Sequence, residues 1–141
     1  MADSAPRPWF ADHVDRYIAT DGEDGHDWNG HPTLLLTTRG RKSGQARTLP
    51  LIYGRDGDDV LVVASRGGAP NHPRWYLNLE ADPDVEVQVK GDRFHAHART
   101  ATAQERPRLW EIVTQVFPDY LEYQTRTTRE IPVVVLERTG A

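Results

Sequence analysis

Six short runs of strand length, most of them closed by a glycine or proline within a few residues, constrain this chain more than any other feature. Thr33–Thr38, Val60–Ser65 and Ile131–Leu136 are apolar along most of their length. Val85, Val87 and Val89 alternate with Glu86, Gln88 and Lys90, and Phe94, Ala96 and Ala98 alternate with Arg93, His95, His97 and Arg99. A period of two is the mark of a strand with one buried face. Arg47–Tyr53 is the sixth run, and Pro50 inside it predicts an edge or a bulge, because proline has no ladder donor. Arg39–Gln45, Arg55–Asp58 and Gly91-Asp92 read as turns, too short for anything but antiparallel neighbours. Runs that are apolar throughout need cover on both faces. The pattern predicts a mainly β (α+β) fold: a six-stranded antiparallel barrel with helices packed outside it.

The helices have their own signals. Phe10, Val14, Tyr17 and Ile18 recur at helical spacing and predict a helix over 10–19, followed by a Gly/Asp-rich loop to Gly30. Pro73 opens a short helix over Arg74–Ala81. Thr102 and Glu105 match a capping box for a helix reaching about Phe117, and Asp119–Thr125 adds another turn or two. With 141 residues the chain suits one domain, read as an N-terminal helix and loop (1–30) leading into the barrel (31–141).

Cysteine is absent, so disulfides, thiolate metal sites and cysteine nucleophiles are excluded. The opening MADSAPRPWF has no apolar stretch of signal-peptide length, and no run approaches the ~20 apolar residues of a spanning helix, which predicts a cytoplasmic protein without a membrane span. The formal net charge is −4, and no nucleic-acid-binding module is visible, so nucleic acid is not an expected partner. The charge is unevenly spread. Between Asp27 and Asp56 there is no acid, yet Arg39, Arg41, Lys42, Arg47 and Arg55 lie there around a glycine-rich turn. A solvated basic face is the bland reading; a local site for an anion is the functional one.

Three constellations carry chemistry. In Thr37–Arg47 a turn between strands can aim backbone N–H groups into one concavity, with Lys42 and Arg47 beside it for a phosphate or carboxylate. It is neither a P-loop nor a dinucleotide fingerprint, since the spacing of both is missing. In Ala64–Tyr76 a buried strand ends in a Gly-Gly loop that leads into an aromatic helix. The N–H groups around Arg66–Ala69 suit the polar edge of a planar ring, with Trp75 flanking it or simply buried in the core. Phe117, Tyr120 and Tyr123 recur every third residue and line a pocket or pack a helix. His95 and His97 lie on a strand's polar face without a matching carboxylate or further histidine, so no metal site is expected. His13, His26 and His31 are scattered, and His72 lies inside the second constellation.

Four segments carry a resemblance. Leu34-Leu-Leu-Thr-Thr-Arg-Gly-Arg-Lys-Ser-Gly-Gln45, Val63-Ala-Ser-Arg-Gly-Gly-Ala-Pro70, His72-Pro-Arg-Trp-Tyr-Leu-Asn-Leu79 and Ile131-Pro-Val-Val-Val-Leu-Glu137 stand in family order and spacing. The chain resembles the deazaflavin (F420)-dependent nitroreductase family, also described as quinone reductases. The likeness spans about His31 to Glu137. It implies a split β-barrel like that of flavin-mononucleotide-binding oxidoreductases. It also implies a coenzyme with an 8-hydroxy-5-deazaflavin ring, a ribityl chain, a phosphate and an oligoglutamate tail. By the resemblance, Lys42, Ser43 and Arg47 match the phosphate-binding stretch. Ser65, Arg66, Gly67, Gly68 and Ala69 lie beside the ring, and Trp75 is a pocket aromatic. Phe117, Tyr120 and Tyr123 border the acceptor, with Tyr120 and Tyr123 able to hydrogen-bond or protonate it. The implied reaction is hydride transfer to a quinone or activated alkene. In the nitroimidazole-activating member, tyrosines stand where this chain has Phe117 and Ile52, which implies weak or no reduction of bicyclic nitroimidazoles. The competing readings are a flavin-mononucleotide oxidoreductase on the same barrel and a barrel that carries a lipid or small molecule without reaction. The sequence carries no signal of oligomeric state.

Overall fold

The computed structural model describes residues 10–140; residues 1–9, most of the segment read above for a leader, and Ala141 lie outside the described residues. Helix α1 (Ala11–Ala19) leads to a two-residue strand β1 (Asp27–Trp28) and then to β2 (His31–Arg39) and β3 (Ala46–Ile52). Strands β4 (Gly54–Asp56) and β5 (Asp59–Val63) follow, then a single 3₁₀ turn at Arg66–Gly68 and helix α2 (Arg74–Ala81). The hairpin β6 (Asp84–Val89) and β7 (Asp92–Thr100), helices α3 (Arg106–Val116) and α4 (Asp119–Thr125), and strand β8 (Val133–Gly140) complete the chain.

All pairings are antiparallel and the sheet order is β1-β2-β6-β7-β8-β5-β4, with β3 on the other side of β2. β3 and β4 thus sit at opposite ends of the ladder, yet only Tyr53 separates them in the chain. The sheet must curl to bring its ends together, and the result is the half-closed barrel. Leu35 opposes Pro50 across the β2–β3 pair, and β3 has no second partner, so the missing proline N–H costs no ladder bond.

The six expected strands are all present, and two short ones were not expected. β1 is two exposed residues with no alternation to read. β4 is masked in the sequence by the turn signal at Arg55–Asp58, whereas the chain reverses only at Gly57-Asp58, with Gly57 at φ 61°.

Alternation sorts the core into layers. Leu34, Leu36, Val60, Val62, Val85, Val87, Phe94, Val134 and Leu136 fill the interior, which Tyr76 and Leu79 of α2 close. On the outer face Leu61, Val63, Val133 and Val135 meet Leu109 and Val113 of α3, while Leu35 meets Val14 and Tyr17 of α1. This double cover is what apolar strands require; each buried Leu or Val contributes about 1.5–3 kcal/mol. The Tyr17 hydroxyl donates to Thr33 O at 3.0 Å and accepts from the Lys90 N–H at 2.7 Å, locking α1 to β2 and to the β6–β7 turn. The capping box forms as read: Thr102 Oγ1 accepts the Glu105 N–H at 3.2 Å and Glu105 Oε1 accepts the Thr102 N–H at 2.9 Å. The helix begins only at Arg106, one turn later, and admits Pro107 in its first turn.

Candidate coenzyme and acceptor site

The turn joining β2 to β3 is built as a cradle. Gly40 N–H donates to Gln45 O at 2.8 Å and Gly44 N–H to Gly40 O at 2.7 Å, with Gly44 at φ 72°. Arg41 donates through both its backbone N–H and its Nη1 to Asn78 Oδ1 of α2, each at 3.2 Å. The N–H groups of Lys42 and Ser43 have no acceptor among the described residues. A cleft of about 880 Å³ opens here, lined by Arg41, Lys42, Ser43, Arg47, Arg74 and Asn78. Among the described residues no carboxylate pairs with any of its four cations. Like charges crowded without counter-ions favour an anionic ligand.

A second cavity, about 470 Å³, is mainly apolar. Its lining includes Ser65, Arg66, Gly67, Phe117, Tyr120 and Tyr123. Phe10, Leu49 and Trp75 border both cavities, so the two lie side by side. The Phe117 ring lies 4.9 Å edge-on to Tyr120 and 6.1 Å from Tyr123, and His31 abuts Phe117 from behind at 4.9 Å. The i, i+3 spacing within α4 brings Tyr120 and Tyr123 to one face, and Phe117 joins them from the C-cap of α3. The Tyr120 hydroxyl makes no hydrogen bond among the described residues, and burial pushes its pKa well above the usual phenol range. Tyr123 is half-buried, with the Arg126 guanidinium 5.2 Å from its ring centre.

Between β5 and α2 the chain makes three consecutive left-handed residues: Arg66 (φ 46°), Gly67 (φ 63°) and Gly68 (φ 82°). A Cβ on Gly68 would lie 2.5 Å from Tyr123 O, so glycine there allows α4 to press onto the loop. Gly68 and Ala69 do not line the cavity; Gly68 is buried under α4, and the Ala69 N–H is used by Arg66 O. The structure therefore brings Lys42, Ser43, Arg47 and Trp75 to one cleft. It gathers Ser65, Arg66, Gly67, Trp75, Phe117, Tyr120 and Tyr123 around the other.

Arg41, one of the cations around the turn, and Arg74, inside the second constellation, both line the cleft, whereas Phe10, His13 and Trp28 of the cavity wall carry no site signal in the sequence, since no spacing links them to the motifs. His72 accepts from Arg129 Nη1 at 3.0 Å and packs on Tyr76, which makes it part of the loop's support. Among the described residues no group of His, Asp or Glu is arranged to hold a metal ion.

A family model described as F420H2-dependent quinone reductase matches residues 9–138. The chain belongs to this family. An F420H2-dependent quinone reductase of Mycobacterium tuberculosis H37Rv is 48% identical over 126 residues, 86% of this chain and 85% of that protein. A solved F420-H2 dependent reductase, FDR-A, is 41% identical with a TM-score of 0.71, covering 75% of this chain and 94% of its own. A solved chain described as a domain-swapped dimer is 37% identical with a TM-score of 0.73, covering 92% of this chain and 97% of its own. As a family member this chain is an oxidoreductase with F420 as coenzyme, passing hydride to a quinone-type acceptor. The flavin-mononucleotide and non-catalytic carrier readings give way to that one. An unneutralised basic cleft beside an aromatic cavity suits a coenzyme with an anionic tail and a planar ring.

Proposed function

We propose that the coenzyme spans the two adjoining cavities, tail in the basic cleft and ring in the aromatic one, and that the acceptor stacks beside the ring against α4. The observation that carries this reading is the shared border at Phe10, Leu49 and Trp75. Lys42, Ser43 and Arg47 hold the phosphate, helped by the free N–H groups of Lys42 and Ser43. Arg41 and Arg74 add charge for the glutamate carboxylates. Ser65, Arg66 and Gly67 meet the polar edge of the ring, Trp75 flanks it, and Gly68 and Ala69 support that loop from behind.

When bound, the reduced deazaflavin supplies a hydride from its ring in a two-electron step. The protein's part is to position and to balance charge. Phe117, Tyr120 and Tyr123 stack the acceptor so that the reacting atoms come within about 3–3.5 Å. Negative charge arrives on the acceptor oxygen, and the tyrosine hydroxyls donate hydrogen bonds to it. Burial makes Tyr120 a weaker acid than free phenol, so it acts as a donor that keeps its proton, while Tyr123 or water delivers the proton. Phe10, His13 and Trp28 wall the cavity against water, so in this proposal the N-terminal helix and loop work as one functional unit with the barrel. A quinone or activated alkene fits this flat aromatic slot. A cytoplasmic location is part of the same proposal; among the described residues no helix is long and apolar enough to cross a membrane.

The test is a fluorescence titration with F420 and with flavin mononucleotide, in the parent and in Lys42→Ala. Tighter binding of F420, weakened by the substitution, is expected. Equal or tighter binding of flavin mononucleotide contradicts the reading.

A further inference from the structure

Arg129 has no place in any of the motifs, and its side chain makes more hydrogen bonds than any other in the site. It sits between α4 and β8, and its guanidinium reaches across to the loop that follows β5. Nε donates to Ala69 O at 2.8 Å, Nη2 to Ser65 O at 2.8 Å, and Nη1 to Ala64 O at 3.3 Å and to His72 Nδ1 at 3.0 Å. One planar fork thus ties both ends of the Ala64–Ala69 loop. His72 accepts at Nδ1, so its own ring proton lies on Nε2.

The consequence follows from peptide geometry. In a trans peptide the C=O and the N–H of the next residue point in opposite directions. With the Ala64 and Ser65 carbonyls turned toward Arg129, the N–H groups of Ser65 and Arg66 must turn away from it. Both residues line the aromatic cavity, and neither N–H has an acceptor among the described residues. Arg66 is a non-glycine residue at φ 46°, a conformation that persists only where its surroundings over-determine it. Four hydrogen bonds from one side chain supply that constraint.

Resting on the coenzyme placement proposed above, we infer that Arg129 is a positioning residue: it fixes the Ala64–Ala69 loop so that the Ser65 and Arg66 N–H groups are presented to the coenzyme ring. It touches neither coenzyme nor acceptor itself. Lysine's three N–H donors radiate from a single nitrogen, whereas the three carbonyls here are met by three separate nitrogens of the planar fork, so charge alone does not replace it.

Two probes separate ring from tail: the complete coenzyme, and the ribityl deazaflavin lacking phosphate and glutamates. Arg129→Lys and Arg129→Met are expected to weaken both probes by the same factor, about tenfold or more for two lost N–H contacts. Lys42→Ala is expected to weaken only the complete coenzyme. If Lys42→Ala leaves binding untouched, the placement itself fails. If Lys42→Ala weakens binding but folded Arg129 variants hold the ring probe as the parent does, the inference about Arg129 alone fails. Hydrogen exchange on the parent protein needs no variant. The Ser65 and Arg66 amides are expected to exchange quickly in the free protein and to slow at least tenfold with the complete coenzyme bound; unchanged exchange overturns the inference.

Discussion

Lys42 and Arg47 reach one cleft from the turn and from β3, and neither has a carboxylate partner among the described residues. Each sits at the surface, where substitution rarely disturbs a fold. Lys42→Ala and Arg47→Ala are each expected to weaken F420 binding about tenfold to a hundredfold with little change in melting temperature. A titration beside a thermal melt reads both. Phe117, in the proposed acceptor wall, is expected to set acceptor preference. Phenylalanine keeps a stacking wall but offers no hydroxyl, and a nitro group excluded from water leaves two oxygens in need of donors. Phe117→Tyr is expected to raise kcat/KM for bicyclic nitroimidazoles relative to a quinone; an unmoved ratio contradicts that role. Tyr120 gives a prediction in pH. Burial raises its pKa in the folded protein, so the neutral hydroxyl persists through the ordinary phenol range and is lost only above it. No loss of kcat assignable to Tyr120 is expected below about pH 10, and Tyr120→Phe is expected to lower kcat while leaving the F420 Kd unchanged. The linked stability is full below the unfolded phenol pKa and falls as pH rises past it toward the folded value.

At the scale of elements, hydrophobic period and turn chemistry were written plainly in the chain. The helix read as Arg74–Ala81 has those bounds, and the reciprocal Thr102–Glu105 bonds are present. Thr102→Ala is expected to cost about 1 kcal/mol, seen as a melting point lowered by a few degrees. Illegible were features that arise only when distant segments meet. β1 is a two-residue strand that exists because β2 offers an edge. The tight seat of α4 on the loop is visible in sequence only as a Gly-Gly pair, with nothing to say which glycine bears the contact. The structure assigns it to Gly68, where a side chain would meet the Tyr123 carbonyl. Gly68→Ala is therefore expected to destabilise by well over 1 kcal/mol and to impair turnover, since it pushes Tyr120 and Tyr123 away with α4. Gly67→Ala meets open space, so it carries only the backbone cost. A chemical denaturation series ranks the two.

For the whole molecule, the curled sheet brings together stretches more than seventy residues apart. In the proposed site the anion cradle comes from the β2–β3 hairpin, the ring-side loop from the end of β5, and the acceptor wall from the end of α3 and from α4. The first two were readable because each is a contiguous motif. Their junction at Trp75 and the cover given by Phe10, His13 and Trp28 were not, because burial patterns say that a face is covered and not by which segment. Arg129 was invisible for the same reason: a single arginine sixty residues from the loop it ties. The proposed coenzyme placement requires that the two cavities form a single site. A crystal structure of the protein with F420 tests it directly. The predicted result places the phosphate within hydrogen-bonding distance of Lys42, Ser43 or Arg47 and the ring between Trp75 and the Ser65–Gly67 backbone. A phosphate bound away from the β2–β3 turn, or a ring outside the aromatic cavity, contradicts it.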